Sequence, residues 1–269
     1  ARAVASGLRE RGVRTGDSVA LMLPSSSDYF CAFFGVLYAG AVPVPIYPPV
    51  RASQLEEHLR RHGRILTSAK ARVLLTVPEA RAAAHLLRAE APLIEHIETL
   101  AGISGQAGPP PAAWPNPRAD DLALLQYTSG STGDPKGVML THGQLLANIR
   151  AMGESLQVTS RDVFVSWLPL YHDMGLIGAW LGSLYFSIPL VVMSPLAFLS
   201  HPLHWLHVIH RHQGTISGGP NFGFELCLRA AESSDLEGLD LSSWRAAFNG
   251  AEPVSPLSLE RFWQRFAPC

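Results

Sequence analysis

Short β-rich runs alternate with helix-patterned segments along this chain, and that alternation restricts its fold more than any other feature. Ser18 to Leu23 is followed by the helical pattern Asp28 to Tyr38, and Arg72 to Val77 by Glu79 to Glu90. Strands separated by helices return to pair in parallel, so the pattern predicts an α/β fold of mostly parallel sheets flanked by helices. From 102 to 119 the text turns to Gly, Pro, Ala and Asn, with Pro109, Pro110, Pro111, Pro115 and Pro117 preventing regular pairing. The alternation resumes with strands over Leu122 to Tyr127, Gly137 to Leu140, Val163 to Trp167, Pro189 to Met193, Gly214 to Ser217 and Arg245 to Phe248, and with helices from Gly143, Phe222 and Pro256. The expected division is therefore a first α/β half over 1–101, a linker over 102–119 and a second α/β half over 120–269.

The composition of the 269 residues, 47% hydrophobic and 16% charged, is that of a chain with a large buried core. The net charge of -1 comes from intermixed acidic and basic residues, which argues against nucleic acid as a partner. Cys31, Cys227 and Cys269 form no C-x-x-C pair, so neither a disulfide framework nor a zinc site is indicated, and a reducing cytoplasm fits best. His201, His204, His207, His210 and His212 crowd one stretch. Steps of three turn each histidine about 300° around a helix, so the set reads as surface and boundary histidines rather than a metal site, and no metal ligands are assigned. Met174 to Ser200 carries no charge, but Pro189 and Pro195 break it, which predicts a buried helix followed by a buried strand in place of a membrane span. The chain opens at Ala1 inside a helical pattern with no signal peptide in view, so further residues are expected upstream.

The strongest local signal is Thr128-Ser129-Gly130-Ser131-Thr132-Gly133-Asp134-Pro135-Lys136-Gly137, between two short strands. Gly130 and Gly133 allow positive φ and close backbone approach to an anion, while the hydroxyls, N–H groups and Lys136 supply donors and charge. It is not a Walker A loop, because Pro135 and Gly137 flank the lysine where that pattern needs Gly before it and Ser or Thr after. By composition alone an ordinary Ser/Gly hairpin loop remains open.

The order of residues in this loop resembles the phosphate signature of the adenylate-forming superfamily, which includes acyl-CoA synthetases, luciferases and the adenylation domains of peptide synthetases. Three further segments agree in order and spacing and look most like its fatty acyl-AMP ligase branch: Trp167 to Gly178 (WLPLYHDMGLIG), Ser217 to Phe222 (SGGPNF) and Phe248 to Pro253 (FNGAEP). Tyr38 to Pro49 (YAGAVPVPIYPP) is also similar.

The resemblance implies activation of a fatty acid by ATP, with Mg2+, to acyl-AMP and pyrophosphate. Transfer of the acyl group to the phosphopantetheine of an acyl carrier protein, in lipid or polyketide biosynthesis, would follow. An acyl-CoA ligase is the alternative, and a noncatalytic acyl- or nucleotide-binding module a third reading. Thr128, Ser129, Gly130, Ser131, Thr132, Gly133 and Lys136 would hold the triphosphate and then the pyrophosphate. His172 would stabilise phosphate charge, and Asp173 would be a polar site residue or a helix cap. His172 is not cast as a base, since a carboxylate is already ionised at neutral pH. Asn249, Gly250, Ala251 and Glu252 would lie along the adenine, or form a routine strand-to-helix turn. Gly218, Gly219, Asn221 and Phe222 would wall the acyl chain from the nucleotide, with Phe222 equally readable as core. An acidic ribose ligand and a catalytic lysine on a small C-terminal domain are expected beyond Cys269, which implies that the 269 residues alone catalyse poorly and aggregate readily.

Overall fold

Strands that are apolar at every position can be buried on both faces, the condition for a parallel sheet covered by helices. The computed structural model, which describes residues 1–48, 55–105, 108, 113–128, 135–232 and 234–269, has three strands buried along nearly their whole length in the first of two compact units, Ala1–Ala147. Its order is α1 (Arg2–Glu10), β1 (Ser18–Met22), α2 (Ser27–Tyr38), β2 (Val42–Pro45), α3 (Leu55–Ser68), β3 (Ala71–Thr76), a 3-10 turn at Pro78–Ala80, α4 (Arg81–Glu90), β4 (His96–Thr99), α5 (Leu100–Gly105), β5 (Leu122–Thr128) and β6 (Lys136–Thr141). β1 to β4 form one sheet in the order β2-β1-β3-β4, every pairing parallel. β1, buried throughout, is central, whereas β2 carries Pro43 and Pro45 and lies at the edge. A proline there costs no ladder hydrogen bond. Ala20, Met22, Val44 and Leu74 of the sheet pack with Ile65 and Leu66 of α3 and Leu87 of α4 in one apolar core.

β5 and β6 depart from this pattern and pair antiparallel as a separate two-stranded hairpin. α5 occupies residues at the point where the linker was expected to begin. α6 (His142–Ser155) starts in the first unit and runs into the second, Asn148–Cys269.

The second unit continues with β7 (Phe164–Ser166), a π-helical segment Met174–Leu181 passing into α7 (Gly182–Tyr185), β8 (Leu190–Val192), α8 (Pro195–Ser200), α9 (Leu203–His212), β9 (Ile216–Gly219), α10 (Asn221–Ala231), β10 (Ala246–Asn249) and α11 (Pro256–Phe266). Its sheet is again parallel, in the order β10-β9-β7-β8. Trp205 is fully buried at its centre, ringed by Phe198, Phe224 and Trp244, and its indole Nε1 donates to Ser217 Oγ at 2.8 Å. That bond satisfies the one polar atom of a large apolar ring. Before β7, Asp162 takes two hydrogen bonds from Arg245 (2.8 and 2.9 Å) and one from Thr215 Oγ1 (2.7 Å), tying together the N-terminal approaches of β7, β9 and β10.

The uncharged stretch from Met174 divides as expected into helix and strand around Pro189, although β8 is half-buried rather than buried. Among the described residues no helix is long and apolar enough to cross a membrane. Along α9, Trp205, Leu206, Val208 and Ile209 are buried while His204, His207 and His212 are exposed, the amphipathic arrangement the histidine spacing predicts.

Candidate active site

In the first unit the phosphate-loop sequence joins β5 to β6. Thr128 and Lys136 are register partners, so the hairpin delivers the two ends of the loop side by side. Both are exposed. Ser129, Gly130, Ser131, Thr132 and Gly133 lie outside the described residues. Gly137 leaves room for the Tyr127 ring across the hairpin: a Cβ there would come 2.9 Å from Tyr127 Cζ and displace the ring. The Tyr127 hydroxyl in turn donates to Ser68 Oγ at 2.8 Å, fastening the hairpin to the end of α3. Beside Pro135, Arg64, Thr67, Ser68 and Glu90 line an open pocket.

In the second unit, the residues singled out by sequence follow the C-terminal ends of β7, β9 and β10, the edge at which open parallel sheets bind ligands. After β7 the chain passes through buried Trp167, Leu168 and Leu170 into an exposed turn at His172 and Asp173. Asp173 is a helix cap, accepting from Met174 N–H at 2.8 Å. Gly175 is fixed by close packing, since a Cβ there would approach the Pro169 carbonyl oxygen to 2.4 Å. The His172 ring lies 5.1 Å from that of Tyr171.

β9 sits two residues further along than the expected Gly214 to Ser217, which places Gly218 and Gly219 inside the strand. Their pairing with Phe248 and Asn249 uses backbone alone, so the absent side chains do not weaken the ladder. They serve packing instead. A Cβ on Gly218 would meet the Phe248 carbonyl at 2.1 Å, and a Cβ on Gly219 or Gly223 would meet the Trp167 ring at 2.5 or 2.7 Å. Trp167 thus packs closely against the chain at Gly219 and Gly223 and stacks on Phe198 at 3.9 Å. Phe222 meets it edge-on at 5.8 Å and is 42% exposed, so it is a rim residue rather than core.

β10 ends in Asn249, and Gly250 N–H reaches back to the Gly219 carbonyl at 3.3 Å. Ala251 takes φ +69°, a left-handed turn conformation costly for a residue with a Cβ. The following Glu252 carboxylate accepts from Phe222 N–H at 2.6 Å, placing a negative charge on the N-terminus of α10. Asn221 has both ends of its side chain engaged: Oδ1 accepts from Asn249 Nδ2 and Ser255 N–H, and Nδ2 donates to Ser258 Oγ. Ser255 and Ser258 escaped the sequence reading, although Ser-Pro-x-Ser at a helix start is a legible capping signal: Ser255 caps α11 through Ser258 N–H, with Pro256 at its first position. Cys227 is no nucleophile, because burial pushes its thiol up to about 12. Among the described residues no three His, Cys, Asp or Glu side chains gather into a metal cage.

The AMP-binding enzyme family model matches residues 1–269. A medium-chain-fatty-acid–[acyl-carrier-protein] ligase, JamA of Moorena producens, is 39% identical over 272 residues, covering 100% of this chain and 45% of the relative. A putative fatty-acid–CoA ligase of Mycobacterium bovis, fadD21, is 39% identical over 283 residues, covering 99% of this chain and 46% of the relative. Among solved structures, the fatty acyl-adenylate ligase of L. pneumophila in complex with acyl adenylate and pyrophosphate superposes with a TM-score of 0.87 at 39% identity, covering 99% of this chain and 46% of that one. The chain thus spans a little under half the length of the relatives it matches.

Proposed function

We propose, from the premise that this chain belongs to the AMP-binding enzyme family, that the protein carrying it activates a fatty acid as acyl-AMP at the expense of ATP and passes the acyl group to a carrier-protein phosphopantetheine. The observation that carries the reading is the gathering of His172, Gly219, Asn221 and the Asn249 to Glu252 turn at the C-terminal edge of one parallel sheet. A cytoplasmic setting accords with the free thiols.

In this reaction a carboxylate oxygen attacks the α-phosphorus of ATP, an O–P bond forms, and the bond to the β-phosphate breaks, releasing pyrophosphate. No proton need move. The protein's task is to hold two anions in line and to offset the charge on phosphorus. Thr128, Ser129, Ser131, Thr132 and Lys136 hold the β- and γ-phosphates as they become pyrophosphate, with Gly130 and Gly133 giving the backbone room. His172 supports the charge on the α-phosphate, and the turn from Asn249 to Glu252 carries the adenine. Gly218, Gly219 and Phe222 border the acyl group. Mg2+, where bound, would neutralise phosphate charge beside the loop's hydroxyls and Lys136.

The fadD21 likeness keeps CoA as the second acceptor to be tested. Given fatty acid, ATP, Mg2+, excess CoA and carrier protein, the expected product is acyl-AMP followed by acylated carrier; rapid accumulation of acyl-CoA instead selects the CoA reading. Lys136→Ala is expected to lower acid-dependent ATP–pyrophosphate exchange at least about tenfold, one charge-assisted phosphate contact being worth about 1.5 to 3 kcal/mol. Unchanged exchange by a folded variant rules out the loop assignment.

A further inference from the structure

The two ends of the phosphate loop are carried by a hairpin with little of its own to keep it still. β5 and β6 form a sheet of two strands, and β6 is exposed from Lys136 to Met139. A two-stranded hairpin is marginal in water unless something packs against it. Leu125 and Tyr127 of β5 supply that packing, since both lie against the apolar core that contains Ile65 and Leu66 of α3.

Tyr127 also reaches both arms of the loop. It directly precedes Thr128 and pairs with Gly137, which directly follows Lys136. Its ring covers Gly137: the nearest atoms to a Cβ placed on that glycine would be Tyr127 Cζ at 2.9 Å and its hydroxyl oxygen at 3.0 Å. An aromatic ring laid over a glycine of an edge strand fixes the register of the pair. From there the hydroxyl donates to Ser68 Oγ at 2.8 Å. Ser68 is the last residue of α3, and that end of the helix is itself fixed, because Ile65 and Leu66 are buried and Thr67 Oγ1 donates to the Glu90 carbonyl at 2.9 Å. On the other arm, Pro135 lines the same open pocket as Thr67 and Ser68. The end of α3 therefore adjoins both arms of the loop.

We infer that Tyr127 and Ser68 are positioning residues that set the phosphate loop at a fixed place on α3, Tyr127 by clamping the two arms and Ser68 by tethering the clamp. The inference rests on the proposed role of the loop in holding the phosphates of ATP and then pyrophosphate. The two residues act through Thr128 and Lys136, which are exposed and so are not held by packing of their own side chains. Misplacing a binding group by about 1 Å is enough to lower a rate by about a hundredfold.

The test is ATP–pyrophosphate exchange by the protein that carries this chain, as wild type, Tyr127→Phe, Ser68→Ala, the double variant and Ser68→Thr. Tyr127→Phe keeps the ring over Gly137 and loses only the tether. It is expected to raise KM for ATP and for pyrophosphate about threefold to tenfold, the effect of one hydrogen bond, and to leave KM for the fatty acid unchanged. Ser68→Ala should do the same, and the double variant should be no worse than either single variant. Ser68→Thr keeps a hydroxyl and should behave as wild type. A bond that serves stability alone would lower Tm or the amount of active enzyme and leave every KM unmoved, which overturns the inference. Effects that multiply in the double variant also overturn it, because the two residues would then not act through each other. Lys136→Ala, measured in parallel, separates the inference from the reading beneath it. If that variant lowers exchange while Tyr127→Phe leaves KM unchanged, only the positioning role falls; if it too leaves exchange unchanged, the loop assignment falls.

Discussion

The two four-stranded parallel sheets are built to the same plan and hold their buried polar groups in opposite ways. In the first unit, His58 and His62 stack one turn apart on α3 at 3.8 Å, with Tyr47 edge-on to both. Burial keeps both rings uncharged, lowering His58 to about 4 and His62 to about 3, the latter also through the charges of His58 and Arg61 against the opposing pull of the His58 carbonyl. In the second unit the buried polar group is an ion. Hydrogen bonds from Arg245 hold Asp162 well below the usual carboxylate range, with Thr215 and Thr159 adding to the effect. Both sheets pin strand starts with ion pairs, Arg72 with Asp17 and Glu95 in the first and Arg245 with Asp162 in the second, but the first also buries a stacked pair of uncharged imidazoles. In the first, β1, β2 and β3 are buried along nearly their whole length and only β4 is half-buried, whereas the second gives up side chains at Gly218 and Gly219 and half-exposes β8 and β10. Burial without gaps makes a scaffold, and the sheet that spends its strand ends on glycine and asparagine can border a ligand.

The contrast is broken most severely by Asp162→Ala, which strands the Arg245 guanidinium among the Leu156 and Gln157 carbonyls and unties Thr215. We expect a loss of about 3 kcal/mol, the lower end for a buried pair because Arg245 is partly exposed. Denaturation followed by tryptophan fluorescence should show it, since of the six tryptophans only Trp114 belongs to the first unit.

Acid should sharpen the contrast. A histidine whose folded pKa is depressed stabilises the fold above its unfolded value near 6.5 and loses that contribution as pH falls below it. The first unit should therefore weaken by up to about 1.4 kcal/mol per pH unit for each ring between pH 6.5 and about 4. Asp162 is an acid with a depressed pKa, so its contribution persists until pH falls below about 3.8. Amide hydrogen exchange at pH 5 against pH 7 should show α3 and β3 losing protection before β7 and β9. Simultaneous loss in both units refutes the separation.

The smallest expected effect is a gain. Gly178 faces an apolar cavity of about 30 Å³ lined by Ile149, Phe164 and Ile216, and a Cβ there would meet nothing within 4 Å. Gly178→Ala should raise stability by about 0.5 to 1 kcal/mol, through lower backbone entropy in the unfolded chain and partial filling of the void. A lowered Tm shows that the π-helical segment needs the glycine's freedom.

The sequence by itself determined the class of fold, because alternation of strand and helix patterns is a local property that each segment carries in its own side chains. It also placed the helix starts at Asn221 and Pro256 to within a residue of those expected, and brought out the loop with Lys136 through glycine and hydroxyl composition. The tertiary structure alone decided the rest. Residues 122–141 read as two strands in an α/β pattern and pair antiparallel, since partner and direction depend on which edges meet, which no single strand encodes. Gly218 and Gly219 fell beyond the strand expected to end at Ser217 and proved to be strand, because backbone pairing with β10 and the bulk of Trp167 and Phe248 set their place. Asn221 read as a ligand wall, yet its amide is engaged by Asn249, Ser255 and Ser258, residues 28 to 37 positions away. Periodicity and composition report what a residue prefers within its own segment; hydrogen-bond polarity and close packing arise only when distant segments are brought together.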